Sequence, residues 1–183
     1  MTSFTTTVHH TANKERIADI VKNAPFKTND KFAYLGPGYY LWDNHLELAK
    51  YWGELHYRNN YAIIEGKLEI TKAEFLDLVG DRADMIYFLK LIDLIPIQQR
   101  RDNYNMAALI GILQEFNEKA PGKKYFNFTA IRAVDIVKNR YSGFYIQFTP
   151  DKPGTTILNP RIIICIKGEK ERYLRELKLV YLK

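Results

Sequence analysis

The sequence has a single cysteine, Cys165, so a disulfide within the chain is excluded, and a disulfide-stabilised scaffold with it. It also lacks cysteine and histidine pairs at the spacing of structural zinc ligands. The longest strongly apolar stretch, Ile162 to Ile166, is too short to cross a bilayer, and the first ten residues lack the basic and apolar segments of a secretion signal. We therefore expect a cytoplasmic protein with no bound metal and no membrane partner.

The residues that are present are typical of one folded domain. The chain has 183 residues, 46% of them hydrophobic and 26% charged, which is enough for one core of ordinary size. Residues 1–120 carry 14 Lys and Arg against 16 Asp and Glu, whereas residues 121–183 carry 13 against 5. Such a basic segment is typical of an ordinary solvated surface, of a site for nucleotide phosphates, or of a surface that attracts RNA or DNA.

Segments rich in β-branched and aromatic residues predict strands toward both ends of the chain, at residues 4–9, 61–70, 144–148, 161–166 and 177–182. A further strand is expected after the turn Gly36-Pro37-Gly38. Residues 72–118 are predicted to be mostly helical, with breaks at Gly80, Pro96 and the polar run 98–103. The sequence therefore predicts an α+β fold, with a mixed, mainly antiparallel sheet whose first and last strands meet in space and an inserted helical layer.

Polar residues that accept hydrogen bonds at helix N-termini predict three helix starts, at Thr11, at Asp43 or Asn44, and at a capping box formed by Thr71 and Glu74. In the second of these helices, Leu48, Trp52 and Leu55 recur at i, i+4 and i+7. This spacing places them on one side of the helix, and we expect that side to face the core.

Two short motifs follow one another in the first part of the chain. Val8-His9-His10-Thr11 stands at the end of the first predicted strand, and Gly36-Pro37-Gly38-Tyr39-Tyr40-Leu41 forms the later turn and strand. Ala49 and Tyr51 come shortly afterwards, in the predicted helix. In order and spacing these residues resemble the ADP-ribosyltransferase superfamily, in the branch with a His–Tyr–Glu signature that includes poly(ADP-ribose) polymerases and many small bacterial toxins.

The resemblance covers roughly residues 4–70 and implies an ADP-ribosyltransferase-like split sheet, built as a single domain over residues 1–183 with the helical insertion at about 72–118. It implies NAD as the substrate and no metal. His9 and Tyr40 take the places of the family's signature histidine and tyrosine and are the implied catalytic residues, while His10 stands where glycine is usual. The implied NAD-binding residues are His9, Thr11, Gly38, Tyr40 and Tyr51.

These residue types suit the chemistry of the family. Cleavage of the bond between nicotinamide and ribose makes the sugar resemble an oxocarbenium ion. Tyr40 on a strand and Tyr51 on the adjoining helix are expected to hold the cationic nicotinamide ring by stacking and cation–π attraction. His9 and the Thr11 hydroxyl are expected to orient the ribose hydroxyls.

The family's third signature residue, a glutamate at the start of a late strand, has no counterpart at the matching place. Arg161 stands nearest to that position, and no acidic residue lies between residues 152 and 168. A carboxylate is needed to stabilise the positive charge that develops on the sugar. Asp151, Glu65 and Glu69 are candidates for a relocated carboxylate.

The expected function is a mono-ADP-ribosyltransferase that modifies an intracellular macromolecule, with nucleic acid slightly favoured over protein because of the basic late segment. The resemblance implies a toxin or defence effector, with a possible inhibitor or antitoxin protein as partner. The alternative is a catalytically inactive module of the same fold that binds NAD, ADP-ribose or nucleic acid. Arg161, in the place of the glutamate, favours this alternative.

Two other classes of site have weak support in the sequence. His9 and His10 are adjacent on a predicted strand, so their side chains point to opposite faces and cannot converge on a metal with His45 and His56. Cys165 lies inside an isoleucine-rich strand and is expected to be buried and unreactive.

Overall fold

A computed structural model of the chain describes residues 2–102, 105–120, 122, 125–135, 145–147 and 155–183. The strands are β1 (Ser3–Asn13), β2 (Lys27–Thr28), β3 (Gly38–Asp43), β4 (Tyr61–Thr71), β5 (Phe75–Asp77), β6 (Ala130–Asp135), β7 (Tyr145–Gln147), β8 (Thr155–Ile157), β9 (Arg161–Ile166) and β10 (Leu174–Leu182). The helices are α1 (Ile17–Asn23), α2 (Leu46–Tyr57), α3 (Arg82–Asp93), α4 (Ile97–Asp102) and α5 (Met106–Lys119).

Most strands belong to one sheet in the order β10-β4-β1-β3-β9-β6-β5, with β2 added beside β3, while β7 and β8 pair separately. Each described pairing is antiparallel except that of β5 with β6. The predicted class, α+β with a mostly antiparallel sheet, is therefore confirmed. The expectation that the first and last strands meet is wrong, because β4 lies between β1 and β10.

The sheet opens between β1 and β3. β1 pairs with β4 along its full length, but within these described strands it pairs with β3 only at Val8 with Asp43 and at His9 with Trp42. Farther along, the edge of β3 that faces β1 pairs with β2, at Tyr39 and Gly38, while its other edge pairs with β9. The two strands therefore diverge beyond His9, and a gap forms between them.

Helices cover both faces of the sheet, and strand alternation decides which side chains they meet. α2, α3 and α5 pack on the face that carries Trp42 and Cys165. α1 covers the opposite face of β1 and β4, where Ile20 packs against Ala12 and Ile64. The gap between β1 and β3 thus lies between two helical layers.

The predicted helix start at Thr11 is wrong. The backbone of residues 10–13 pairs with β4, so β1 continues through Thr11 to Asn13. The Asn13 side chain then accepts a hydrogen bond of 2.9 Å from the Glu15 backbone N–H and caps a short 3-10 turn that leads into α1. Strand pairing, which the local sequence does not reveal, takes priority over the capping signal.

The start of α2 lies later than predicted. The His45 imidazole accepts the Leu48 backbone N–H at 3.1 Å and caps the helix, whereas Asp43 is still in β3 and Asn44 forms a turn with φ of 46°. Leu48 is buried as expected, but Leu55 is 62% exposed, so the predicted apolar stripe is only partly right.

The helical insertion also begins later than predicted. Thr71 donates a hydrogen bond of 2.7 Å to the Glu74 side chain, yet Lys72–Glu74 forms only a 3-10 turn. β5 follows and extends the sheet beside β6, and the first long helix, α3, starts at its cap Asp81. The predicted break at 98–103 is wrong as well, because most of this run forms α4.

The late strands largely follow the prediction. β9 matches residues 161–166, and β10 begins three residues earlier than the predicted 177–182. Of the predicted strand 144–148, Tyr145–Gln147 is described as β7 and the remaining residues lie outside the described part of the chain.

Candidate functional site

A cavity of about 800 Å³ occupies the gap between β1 and β3. Its size falls in the range of roughly 300–1,000 Å³ that is usual for small-molecule sites. The walls come from β1, the segment 16–34, β3, α2 and the adjacent ends of β6 and β9. The polar and aromatic side chains in these walls include Thr11, Arg16, Lys27, Asp30, Tyr34, Tyr40, Trp42, Trp52, Tyr57, Asp135 and Arg161.

One wall of the cavity is aromatic. Tyr40 and Trp42 alternate onto the same face of β3, and α2 adds Trp52 and Tyr57. The indole rings of Trp42 and Trp52 have centroids 5.6 Å apart at an interplanar angle of 59°. The Trp52 ring also stacks on His56, with ring centroids 3.6 Å apart. Such a wall suits a flat ring, which gains stacking energy as well as burial.

Two cationic side chains enter the cavity from the segment after β1. The Arg16 guanidinium lies 3.9 Å from the centre of the Phe26 ring and forms an ion pair with Asp19. Lys27, in β2, lines the cavity beside them. Cations next to an aromatic wall are the groups that bind phosphorylated aromatic ligands such as nucleotides.

The ends of β6 and β9 bring an acidic and a basic side chain into the same cavity. Asp135 and Arg161 are register partners, and Arg161 Nη2 lies 2.9 Å from Asp135 Oδ2. The Arg161 guanidinium also lies 5.8 Å from the Trp42 ring centre. Its Nε is buried and has no hydrogen-bond partner among the described residues. The pair is therefore fixed beside the aromatic wall with one donor still unused.

His10 bridges the gap at the back of the cavity. Its Nδ1 lies 3.0 Å from the Tyr40 carbonyl oxygen and donates to it, so Nε2 is free to accept the Phe26 N–H at 3.3 Å. Loss of hydration, helped by the charge of Lys170, lowers the pKa of His10 to about 4. His10 is thus a neutral connector between two strands that no longer pair.

His9 lies on the other face of β1 and does not line the cavity. It is buried, and its Nε2 is 3.2 Å from Glu65 Oε2, while Nδ1 has no partner among the described residues. Glu65 in turn pairs with Lys178 at 2.9 Å. Burial lowers the pKa of His9, although the Glu65 carboxylate opposes this shift. The structure therefore separates His9 from the site that the sequence assigned to it.

The Tyr40 ring reaches the cavity, but its hydroxyl is engaged elsewhere. It donates a hydrogen bond of 2.7 Å to the Gly36 carbonyl and accepts one of 2.7 Å from the Leu35 N–H. Burial raises the pKa of the Tyr40 phenol far above its usual range. The hydroxyl thus holds the Gly-Pro-Gly turn, and the ring supplies cavity wall rather than a proton.

The other predicted NAD-binding residues fall in different places. Thr11 lines the cavity, with its hydroxyl donating to the Ala49 carbonyl at 2.9 Å. Gly38 is not among the residues that line the cavity, and a Cβ there would collide with Cys165 Sγ. Tyr51 packs in the core between α2 and the sheet and is not part of the cavity wall, where Trp52 and Tyr57 take its place.

Two of the candidates for a relocated carboxylate, Glu65 and Glu69, do not line the cavity. Glu65 belongs to the His9 pair, and Glu69 is exposed near the far end of β4. Asp151 lies outside the described residues. Cys165 is buried as predicted, and burial raises the pKa of its thiol to about 11.

Comparisons with family models, with curated proteins and with solved structures find no match. The likeness to ADP-ribosyltransferases therefore stays a prediction from the two motifs. In the described segments, no helix has the length and apolar character needed to span a bilayer, and no group of three or more acidic, histidine or cysteine side chains is placed to hold a metal.

Three residues of the cavity were not predicted from the sequence: Trp52 and Tyr57 in the wall, and Asp135 as the acid beside Arg161. A signal for Trp52 and Tyr57 was present, because both belong to the helix that follows the second motif. Asp135 had no local signal, since it is 26 residues from Arg161 and only strand pairing brings the two together.

Proposed function

We propose that this protein is an NAD-dependent mono-ADP-ribosyltransferase. The observation that carries the proposal is one cavity, bounded by the two predicted motifs, in which an aromatic wall, cationic side chains and a carboxylate face the same space. Each of these groups complements a different part of NAD. The proposal joins this arrangement to the family resemblance of the motifs.

The cavity matches the chemical parts of NAD. The nicotinamide ring is flat and cationic, and the aromatic wall offers it stacking and cation–π attraction. The pyrophosphate is anionic, and Arg16 and Lys27 are the described cations available to it from the segment after β1. Thr11 lines the cavity, and because its hydroxyl donates to the Ala49 carbonyl, its oxygen is left to accept a hydrogen bond from a sugar hydroxyl.

The reaction would break the bond between ribose C1′ and the nicotinamide nitrogen. The bonding electron pair stays on that nitrogen, and nicotinamide leaves as a neutral ring. An O–H or N–H group of the acceptor then bonds to C1′ and gives up its proton. The cavity favours this path by excluding water around the ring and by holding the leaving group against the indoles.

The acceptor in this proposal is a macromolecule, with nucleic acid slightly favoured over protein. Residues 121–183 carry 13 basic against 5 acidic residues, and such a charge raises the local concentration of a polyanion. A transferase of this size fits a toxin or defence effector that a separate inhibitor protein controls, and this part of the proposal rests on the family resemblance alone.

The test is incubation of the purified protein with NAD labelled in the adenylate and a cell lysate, followed by nuclease or protease treatment. We expect label to enter a macromolecule, and the treatment that removes it identifies the acceptor class. Trp52→Ala is expected to weaken NAD binding about tenfold through loss of one stacking partner. Tyr87→Ala, on α3 and outside the cavity, is the matched control and should leave binding unchanged.

The second candidate is an inactive module that binds NAD or ADP-ribose. Arg161 in the place of the family's glutamate and the engaged Tyr40 hydroxyl favour it. This candidate predicts that the protein binds NAD and that the binding depends on Trp52. It also predicts that the protein neither releases nicotinamide nor transfers label. Nicotinamide release by the unmodified protein therefore decides between the two candidates.

A further inference from the structure

We propose that Asp135 is the carboxylate of the transfer reaction and that Arg161 is the residue that positions it. The inference rests on the proposed function and names the group that the sequence motifs leave missing. It assigns a catalytic role to the end of β6, a strand that belongs to neither motif.

The reaction needs negative charge in the cavity. As the bond to nicotinamide breaks, positive charge develops at ribose C1′ and the ring oxygen, and a fixed carboxylate lowers the energy of that state. Asp carboxyls are ionised at neutral pH, so they serve this purpose without prior loss of a proton. The same carboxylate can accept the proton that the acceptor gives up.

Two acidic side chains line the cavity in the described part of the chain, Asp30 and Asp135. The Asp30 residue is exposed, and its carboxylate accepts the Phe32 backbone N–H at 2.8 Å, so that it serves the local turn. The Asp135 side chain is 18% exposed and lies beside the aromatic wall through its partner Arg161. Charge stabilisation is stronger where water is largely excluded, which favours Asp135.

Arg161 fixes the position of Asp135. The two residues are register partners on β9 and β6, the guanidinium lies against Trp42, and its side chain is only 11% exposed. The indole and the neighbouring strand therefore restrict the guanidinium, and the guanidinium restricts the carboxylate. This chain of contacts holds the carboxylate close to the wall against which a nicotinamide ring would stack.

Asp135 acts twice in the proposed transfer step. The C1′–N bond breaks with its electron pair on nicotinamide, which leaves neutral, while Asp135 stabilises the positive sugar. The acceptor oxygen or nitrogen forms a bond to C1′, and its proton passes to the Asp135 carboxylate and then to water. No oxidant, reductant or metal enters the balance.

The experiment measures nicotinamide release and NAD affinity of the purified protein for four variants. Asp135→Asn keeps the size and one hydrogen-bond acceptor, and we expect kcat to fall by roughly 100-fold or more while the NAD dissociation constant stays within about threefold. Asp135→Glu restores the charge and is expected to recover part of kcat. Asp30→Asn tests the competing acid, and Glu69→Gln, on an exposed part of β4, is the control that should match the unmodified protein. Thermal unfolding confirms that each variant is folded.

Arg161 requires a different readout because it acts through Asp135. Arg161→Lys keeps a positive charge but loses the planar guanidinium, and we expect kcat to fall about tenfold with KM for NAD nearly unchanged. A rise of KM at constant kcat would instead assign Arg161 to NAD binding and would overturn its positioning role.

The outcomes separate the inference from the function on which it rests. Nicotinamide release that disappears in Asp135→Asn, with NAD still bound, supports the inference. Release that persists in Asp135→Asn, or that disappears only in Asp30→Asn, overturns it and leaves the transferase intact. An unmodified protein that binds NAD without releasing nicotinamide overturns the transferase itself and the inference with it.

Discussion

Two arginine–aspartate clusters lie on opposite faces of the strands β3, β9 and β6, and they are used differently. Arg132 binds Asp43 at 2.7 Å and Asp77 at 3.2 Å, so one guanidinium serves two carboxylates. Arg161 binds Asp135 alone among the described acids, keeps a buried Nε without a partner and faces the cavity. The first cluster is saturated and holds strands together, whereas the second retains capacity for a ligand.

The surroundings of the two clusters explain this difference. Asp43 also accepts the Thr6 hydroxyl at 2.7 Å, and Asp77 Oδ1 accepts the backbone N–H groups of Val79 and Gly80, each at 2.9 Å. Every acceptor near Arg132 thus serves the fold. Around Arg161, one side is open to the cavity, because β1 no longer pairs with β3 there. The surroundings therefore decide whether an ion pair of this type only stabilises the fold or can also contact a ligand.

The largest expected effect is on stability. Arg132→Leu leaves two buried carboxylates without their cation and is expected to lower the free energy of unfolding by ~3–5 kcal/mol. Arg161→Leu leaves one carboxylate without its cation rather than two, and we expect a smaller loss of ~1–3 kcal/mol. Denaturant unfolding at neutral pH measures both. Equal losses would break the distinction between the two clusters.

A second prediction concerns the pH dependence of stability, to which His10 contributes at the gap between β1 and β3. The pKa of His10 is about 4 in the folded protein against the usual 6.5 of histidine, so the unfolded chain binds the proton more tightly. The contribution of neutral His10 to stability is therefore complete above about pH 6.5 and is lost as the pH falls toward 4. It amounts to about 3–4 kcal/mol at most, at ~1.4 kcal/mol for each pKa unit.

His10→Gln is the variant that tests this prediction, because it removes the titrating ring. Denaturant unfolding between pH 7 and pH 4.5 should show a smaller loss of stability for His10→Gln than for the unmodified protein. Burial lowers the pKa of His9 as well, so part of the loss should remain in the variant. An identical pH dependence for both proteins would mean that His10 does not titrate as the structure indicates.

The smallest expected effect comes from Tyr40, which faces the cavity but serves the fold. Tyr40→Phe removes the partner of the Leu35 N–H and the Gly36 carbonyl and is expected to lower the free energy of unfolding by ~1–2 kcal/mol. The rate of nicotinamide release should fall by less than about tenfold, since the ring remains. Tyr57→Phe, in the same cavity wall, is the control and should change stability little. A large loss of rate with unchanged stability would return Tyr40 to the catalytic role that the motif implies.

Local sequence patterns predicted the elements whose signals lie within a few residues. The alternation of apolar residues in 61–70 and the isoleucine-rich run at 161–166 gave β4 and β9 nearly to their ends. The first motif lies on β1, the strand from which the gap begins. Elements that depend on distant partners were missed: β5 and β6 are short strands, and they form because β6 pairs with β9 and β5 pairs with β6.

The candidate site was predicted in part for the same reason. Of the residues that the resemblance implied for NAD binding, Thr11 and Tyr40 line the cavity, whereas His9 and Tyr51 do not. Adjacent strand residues point to opposite faces, so the choice between His9 and His10 depended on where β1 leaves β3, and no local pattern records that point. The same holds for neighbours on a helix, where Tyr51 and Trp52 project about 100° apart.

The sequence by itself determined the α+β class, the main strands, the buried Cys165 and the order of the two motifs, because each depends on composition or on short-range periodicity. Only the tertiary structure decided which histidine meets the cavity and which acid stands beside Arg161. Both depend on strand register, which is set by the packing of the whole sheet: Asp135 meets Arg161 across 26 residues of chain because β6 and β9 pair in that register and in no other.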